Sequence, residues 1–173
     1  MKRWYMVTVV GKDRPGIVAG LTEALYRGGA NLGEASMARL GGNFTIMLMV
    51  QIDAEANELE RLMAPLAREL ALRVHVDAIE GRLHEHLEPN VRIAVYGADR
   101  PGIVAQVTEA LAGAGLNILD LESDVAGTEA EPIYIMTIDG YAREGIGALE
   151  RALAQITQSG IEVRLTPIDT LVG

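Results

Sequence analysis

Gly11-Lys12-Asp13-Arg14-Pro15-Gly16-Ile17-Val18-Ala19 returns, at an offset of 86 residues, as Gly97-Ala98-Asp99-Arg100-Pro101-Gly102-Ile103-Val104-Ala105. The offset persists downstream. Thr22-Glu23-Ala24-Leu25 matches Thr108-Glu109-Ala110-Leu111, Gly29 matches Gly115, and Asn31 matches Asn117. A repeat of this length within one chain means one folding unit built twice. The reading of either copy therefore serves for both.

In the first copy, Tyr5 to Val10 is a β-prone run that ends in the turn Gly11 to Pro15. From Gly16 to Arg27, residues Ile17, Val18, Leu21, Ala24 and Leu25 recur at helical spacing and make one buried stripe. Gly28-Gly29 is expected to stop that helix. A second strand is predicted from about Asn31 to Leu40, and Gly41-Gly42 turns it tightly into a third, Phe44 to Ile52. Leu59, Leu62, Met63, Leu66 and Leu70 mark a second helix, which Pro65 should kink or interrupt. Leu72 to Ile79 forms the fourth strand. The second copy repeats the order through Arg92–Tyr96, Ile103–Ala112, Asn117–Val125, Ile133–Ile138, Ile146–Gln158 and Ile161–Ile168.

Strand, helix, strand, strand, helix, strand is the ferredoxin-like βαββαβ order. The fold class expected is α+β: two tandem ferredoxin-like units, 1–80 and 91–173, with antiparallel sheets and helices on one face. Residues 81–90, rich in charge and histidine, form the linker between them. Aligning Met47 with Met136 lengthens the hairpin of the second copy by three residues. The strands do not alternate cleanly: Phe44, Ile46, Leu48 and Val50 share a face, but Met47 and Met49 occupy the other. Trp4, Met6 and Val10 likewise oppose Tyr5, Val7 and Val9. Apolar residues on both faces mark an interface, so a homo-oligomer, or burial of the open faces by the sister copy, is expected.

Composition closes off several functions. The net charge of −9 argues against direct binding to nucleic acid, which needs clustered Lys and Arg. The chain has no cysteine, so disulfides and thiolate metal sites are ruled out. No apolar run approaches the roughly 20 residues that span a bilayer, and the N-terminus lacks the h-region of a signal peptide. A cytoplasmic protein without membrane association is expected. No Ser-His-Asp or Gly-x-Ser-x-Gly arrangement is present, and Gly11 to Gly16 is neither a P-loop nor a dinucleotide fingerprint. His84-Glu85-His86 lacks the further ligands of a metal site, and His75 reads as a structural histidine within a strand. No metal and no cofactor is expected.

The duplicated loop is the place for ligand chemistry. Pro15 and Pro101 are suited to the first helical position, where no amide hydrogen is needed. Gly16 and Gly102 let another group approach the main chain. The amides of that first turn, backed by the helix dipole, suit a carboxylate or another small anion. Asp13 and Asp99 offer an acceptor for an ammonium, and Arg14 and Arg100 a partner for a carboxylate. Asn31 and Asn117, read as entering the second strand from the same end of the sheet, add a donor and acceptors. The same residues also suit plainer work: an Asp caps a helix, Arg14 pairs with Glu34 or another acid, and an Asn makes a turn.

The pattern Gly-x-Asp-Arg-Pro-Gly-Ile-Val, then Thr-Glu-Ala-Leu, then Gly and Asn-Leu or Asn-Ile, resembles the first half of an ACT domain. Two such domains filling nearly the whole chain are similar to the glycine cleavage system transcriptional repressor group. Similar segments front formyltetrahydrofolate deformylases and nitrogen-regulatory uridylyltransferases, whose catalytic domains have no counterpart here. The resemblance implies an amino acid held at interfaces between ACT domains, by Asp13 to Ile17 with Asn31 and Leu32, and by Asp99 to Ile103 with Asn117 and Ile118. It implies a regulatory protein rather than an enzyme, with a free amino acid as ligand, glycine or serine first. Lacking a basic helix-turn-helix, it would act on transcription in amino acid and one-carbon metabolism through a protein partner such as a DNA-binding regulator. The first copy departs from the usual form with Leu32-Gly33-Glu34 where the second has Ile118-Leu119-Asp120, so the two sites are expected to differ. Two alternatives share the architecture. One is an acylphosphatase-like enzyme using Arg14 and Asn31, although the loop lacks the glycine spacing that chemistry prefers. The other is a scaffold whose sheets only mediate assembly.

Overall fold

The computed structural model describes residues 1–80, 87–98, 101–157 and 160–168, and the chain divides into two compact units, Met1–Glu85 and His86–Gly173. The first contains β1 (Arg3–Lys12), α1 (Ile17–Arg27), β2 (Asn31–Leu40), β3 (Asn43–Ile52), α2 (Ala56–Glu69) and β4 (Arg73–Ile79). The second contains β5 (Val91–Ala98), α3 (Ile103–Gly113), β6 (Leu116–Gly127), β7 (Pro132–Ala142), α4 (Ile146–Thr157) and β8 (Glu162–Pro167). Their sheets are four-stranded and antiparallel, in the orders β2-β3-β1-β4 and β6-β7-β5-β8. This is the βαββαβ arrangement expected from the repeat.

Alternation along the central strands explains why each sheet buries one face. Tyr5, Val7 and Val9 of β1 and Phe44, Ile46, Leu48 and Val50 of β3 are buried. With Ile17, Leu21 and Leu25 of α1 and Leu59 and Met63 of α2 they form one core. The second unit repeats this with Val91, Ile93 and Val95 of β5, Met136 and Ile138 of β7, and residues of α3 and α4. The opposite face of the first sheet remains partly open to solvent, with Val10 at 43% and Met47 at 46% exposure. Trp4 lies across that face onto Gly33: a Cβ on Gly33 would sit 3.0 Å from the indole Cζ3 and 3.2 Å from the Met49 Cβ. The departure at Leu32-Gly33-Glu34 is thereby explained as packing, since Gly33 makes room for the indole.

The corresponding face of the second sheet carries charged residues around Arg92 and Asp139, with Ile133 exposed farther along it. Arg92 grips Asp139 through two hydrogen bonds, Nε to Oδ1 at 2.7 Å and a terminal nitrogen to Oδ2 at 2.6 Å. Asp120 and Glu122 of β6 stand opposite Asp139 and Thr137 in the same register. The hydrogen bond from Arg92 holds the Asp139 carboxyl below its usual range, against a smaller opposing effect of burial.

Several local expectations need correction. Pro65 does not interrupt α2, which runs unbroken through it. Its ring is exposed, so the ladder bond it removes is lost on the solvent side of the helix, where water can replace it. The α1 end at Gly28-Gly29 is as expected: Gly29 N–H donates to Tyr26 O at 2.9 Å and Ala30 N–H to Leu25 O at 3.0 Å, the bond pair of a Schellman motif. Gly41 and Gly42, at φ 55° and 75°, make the tight hairpin. In the second unit, however, Met136 aligns with Ile46 rather than with Met47. Val9 pairs with Ile46 and Val95 with Met136, so the second hairpin is longer by four residues, not three. The difference matters because a shift of one residue moves a side chain to the other face of a sheet. Met136 is fully buried, whereas Met47 is open to solvent.

The charged segment between the copies falls mostly outside the described residues, and His84-Glu85-His86 lies wholly there. Asn90, the last residue of the segment read as linker, immediately precedes β5 and is hydrogen-bonded to the second sheet. Its N–H donates to Gly140 O at 3.0 Å, and its side-chain amide exchanges two hydrogen bonds with the main chain of Ala142. His75 is on β4 but exposed, with its Nε2 3.1 Å from Asp77. Among the described residues no group of three or more His, Asp and Glu side chains is placed to hold a metal ion, and no helix is long and apolar enough to cross a membrane.

Candidate functional site

Between β1 and α1 the chain must turn sharply, and a glycine makes that turn. Gly16 is the N-cap of α1, at φ 89° and ψ −5°; Gly102 is the N-cap of α3, at φ 89° and ψ −3°. These angles are those of the third residue of a type II turn, whose second position favours proline. Pro15 and Pro101 therefore precede the N-cap, two residues before the first helical position and not at it. The reason is steric: only glycine adopts this left-handed geometry readily, so the register of the turn follows Gly16 and the proline precedes it.

Gly20 N–H donates to Gly16 O at 2.9 Å and Gln106 N–H to Gly102 O at 3.0 Å. The amides of Ile17, Val18 and Ala19 thus precede the first bond of the helical ladder, and no side chain caps the helix. Asp13 does not act as a cap. Its N–H donates to Gly42 O at 3.0 Å, tying the turn to the β2–β3 hairpin, and its carboxylate pairs with Arg39 of β2 at 2.5 Å. Asp13, Arg14, Pro15, Gly16 and Ile17 line an open concavity of about 520 Å³, together with Val18, Ala19, Met37, Arg39 and Phe44.

Arg39, Met37 and Phe44 are the site residues that sequence reasoning missed. They come from the far side of the hairpin: Arg39 pairs with Phe44, and Phe44 with Gly11. Once Gly41-Gly42 is read as a two-residue turn, Arg39 falls level with the end of β1, across β3. The signal was the hairpin register rather than any motif.

Asn31 and Leu32 do not join this concavity. Asn31 pairs with Gln51, and Gln51 with Trp4, so Asn31 is at the end of the sheet where β1 begins. The turn at Asp13 to Gly16 follows the other end of β1. Lys12 lies eight residue steps along β1 from Trp4, about 26 Å at 3.3 Å per residue. The expectation that both enter from the same end of the sheet is therefore wrong. Helix α1 carries the chain back along the sheet before β2 starts. In the second unit Ile118 pairs with Gly140, and Gly140 with Val91, so Asn117 and Ile118 are likewise remote from Pro101, Gly102 and Ile103. Asp99 and Arg100 lie outside the described residues. A ligand that touched both the turn and the Asn would have to draw them from two different sheets. The same separation removes the geometry for an acylphosphatase-like reading, since Arg14 and Asn31 of one unit cannot serve one phosphate.

With this geometry in view, comparison with known proteins is informative. Residues 4–77 and 91–158 each match a family model described as ACT domain. The glycine cleavage system transcriptional repressor of Escherichia coli is 28% identical over 131 residues, covering 75% of this chain and 69% of the repressor. A UPF0237 protein of Listeria monocytogenes is 33% identical over 78 residues, covering 43% of this chain and 88% of that protein. Among solved structures, an unknown protein from Galdieria sulphuraria superimposes with a TM-score of 0.77 at 25% identity, covering 98% of this chain and all of that one. A candidate glycine cleavage system transcriptional repressor superimposes with a TM-score of 0.74 at 18% identity, covering 98% and 99%; that likeness concerns the fold alone.

Proposed function

The chain belongs to the ACT domain family, carrying two copies in tandem, and from that premise we propose that it is a regulatory sensor of a free amino acid rather than an enzyme. The observation that carries this reading is the concavity at the β1–α1 turn. Residues Asp13 to Ala19, which include three main-chain amides outside the helical ladder, line about 520 Å³ together with Arg39, whose guanidinium pairs with the Asp13 carboxylate. A zwitterion needs donors for its carboxylate and an acceptor for its ammonium, and both are within this one turn. Glycine and serine are the first ligands to try. In the second copy Gly102 and Ile103 begin the equivalent helix behind Pro101, and these residues make the corresponding candidate turn.

Similarity to a protein named as a transcriptional repressor supports a role in transcriptional control. With a net charge of −9, the chain is ill suited to grip DNA itself, so that control runs through a protein partner such as a DNA-binding regulator. Regulation then requires only that the amino acid bind one state of the protein better than another. Calorimetric titration of the full chain with the twenty common amino acids tests the reading. Saturable heat with at least one of them is expected. Silence with all twenty, on protein shown to be folded, refutes it.

A further inference from the structure

The two copies, alike in their turns, differ in what the neighbouring hairpin presents to them. In the first unit Arg39 lies opposite Phe44, which pairs with Gly11, and its guanidinium closes on Asp13 across the concavity. In the second unit the same register position, opposite Tyr134, which pairs with Gly97, is Val125. Two places along the strand, Met37 is replaced by Ser123 on the same register. The second turn thus has no cation from the hairpin strand, although its Gly102 geometry is nearly identical to that of Gly16.

We propose that Arg39 is the specificity-determining residue of the amino acid site and that it confines high-affinity binding to the first unit, one ligand per chain; this rests on the sensor reading given above. Arg39 is mostly exposed and Asp13 mostly covered, at 68% and 23%, so the guanidinium has room to turn outward to a ligand carboxylate, provided that a ligand cation replaces it on Asp13. The ligand carboxylate takes two of the guanidinium donors in a fork, an arrangement a lysine cannot copy. The ligand ammonium meets the Asp13 carboxylate in place of the guanidinium. A neutral amide in place of the carboxylate offers one acceptor oxygen and no charge, and is rejected. The aliphatic Val125 supplies none of this.

The test uses the full chain, glycine and L-serine as probes, and glycinamide and L-serinamide as their neutral-headed counterparts. Wild type should bind at least one of the two amino acids with a stoichiometry of one and discriminate against its amide. Arg39→Val, which copies the second unit, should weaken that amino acid roughly tenfold or more, the loss of a charged hydrogen-bond pair, and should also abolish the preference over the amide. Arg39→Lys should recover part of the affinity. Circular dichroism confirms that both variants fold, and loss of selectivity separates a direct contact from general damage. Two equal sites per chain, or Arg39→Val binding with unchanged affinity and selectivity, overturns the proposal while leaving the sensor reading intact. No heat with either amino acid overturns this proposal, and heat with a different amino acid in the wider screen would show that the sensor reading survives it.

Discussion

Replacing Gly16 by alanine isolates the backbone geometry on which the site is built. A Cβ at Gly16 would meet nothing within 4 Å, and the same holds at Gly102. Collision with neighbours therefore contributes nothing, and the cost comes from holding an L-residue at φ 89°. A left-handed conformation costs roughly 1–2 kcal/mol, and this φ lies beyond the usual basin of +50 to +70°, toward the upper end of that range. Loss of unfolded-state freedom on going from Gly to Ala offsets about 0.4–1 kcal/mol. The net destabilisation is about 1 kcal/mol, or roughly 4–8 °C in midpoint for a unit of this size. Gly102→Ala should cost the same, because its angles are nearly the same. Urea and thermal unfolding of the two single variants, followed by circular dichroism, measure both. Under the sensor reading, Gly16→Ala should also weaken amino acid binding, by shifting the first-turn amides; confinement of the ligand to the first unit by Arg39 adds that Gly102→Ala should not. A midpoint equal to or above wild type for Gly16→Ala would refute the argument, since it would mean that the turn does not need a left-handed residue.

Two further outcomes test the surrounding architecture. Gly33→Leu, which gives the first unit the residue of the second, should destabilise by about 1–3 kcal/mol, the usual range for overpacking, because its Cβ would already crowd the Trp4 ring and Met49; urea denaturation with near-ultraviolet dichroism checks it, and wild-type stability would contradict that packing. Asp139→Asn should lower the melting temperature at pH 7 by a few degrees at most, as befits a pair in which Arg92 is largely in water. Since the folded Asp139 carboxyl is held low by Arg92, its contribution is present above the unfolded carboxyl pKa and is lost as pH falls through the folded one. The gap between wild type and Asp139→Asn should therefore close in acid, and a gap that widened on acidification would contradict the assignment.

The architecture was readable because a duplication makes each element testify twice. Gly29 and Gly115 end equivalent helices, Gly41-Gly42 announces a hairpin, and the alternation from Tyr5 to Val9 identifies the buried face. Local chemistry sufficed for each of these. The errors arose where the answer depends on chain direction or pairing register. The proximity of Asn31 in sequence to the helix end says nothing about which strand terminus lies nearby; α1 has already reversed the chain. Residue type matches Met136 to Met47, but inter-strand pairing puts it in the place of Ile46. Pro15 fitted a rule for helix starts, but the glycine that follows it has the stricter demand on the backbone. Arg39 could be found only through the hairpin register, as it belongs to no motif.

Trp4 is the sole tryptophan of the chain, and its indole rests on Gly33 at the partly open face of the first sheet. Its emission is therefore a private optical channel for that unit, since the second contributes no competing signal. A blue shift on raising the protein concentration, or on adding a binding partner, would locate the contact on this face without a label. Protection from acrylamide quenching under the same conditions would give its affinity.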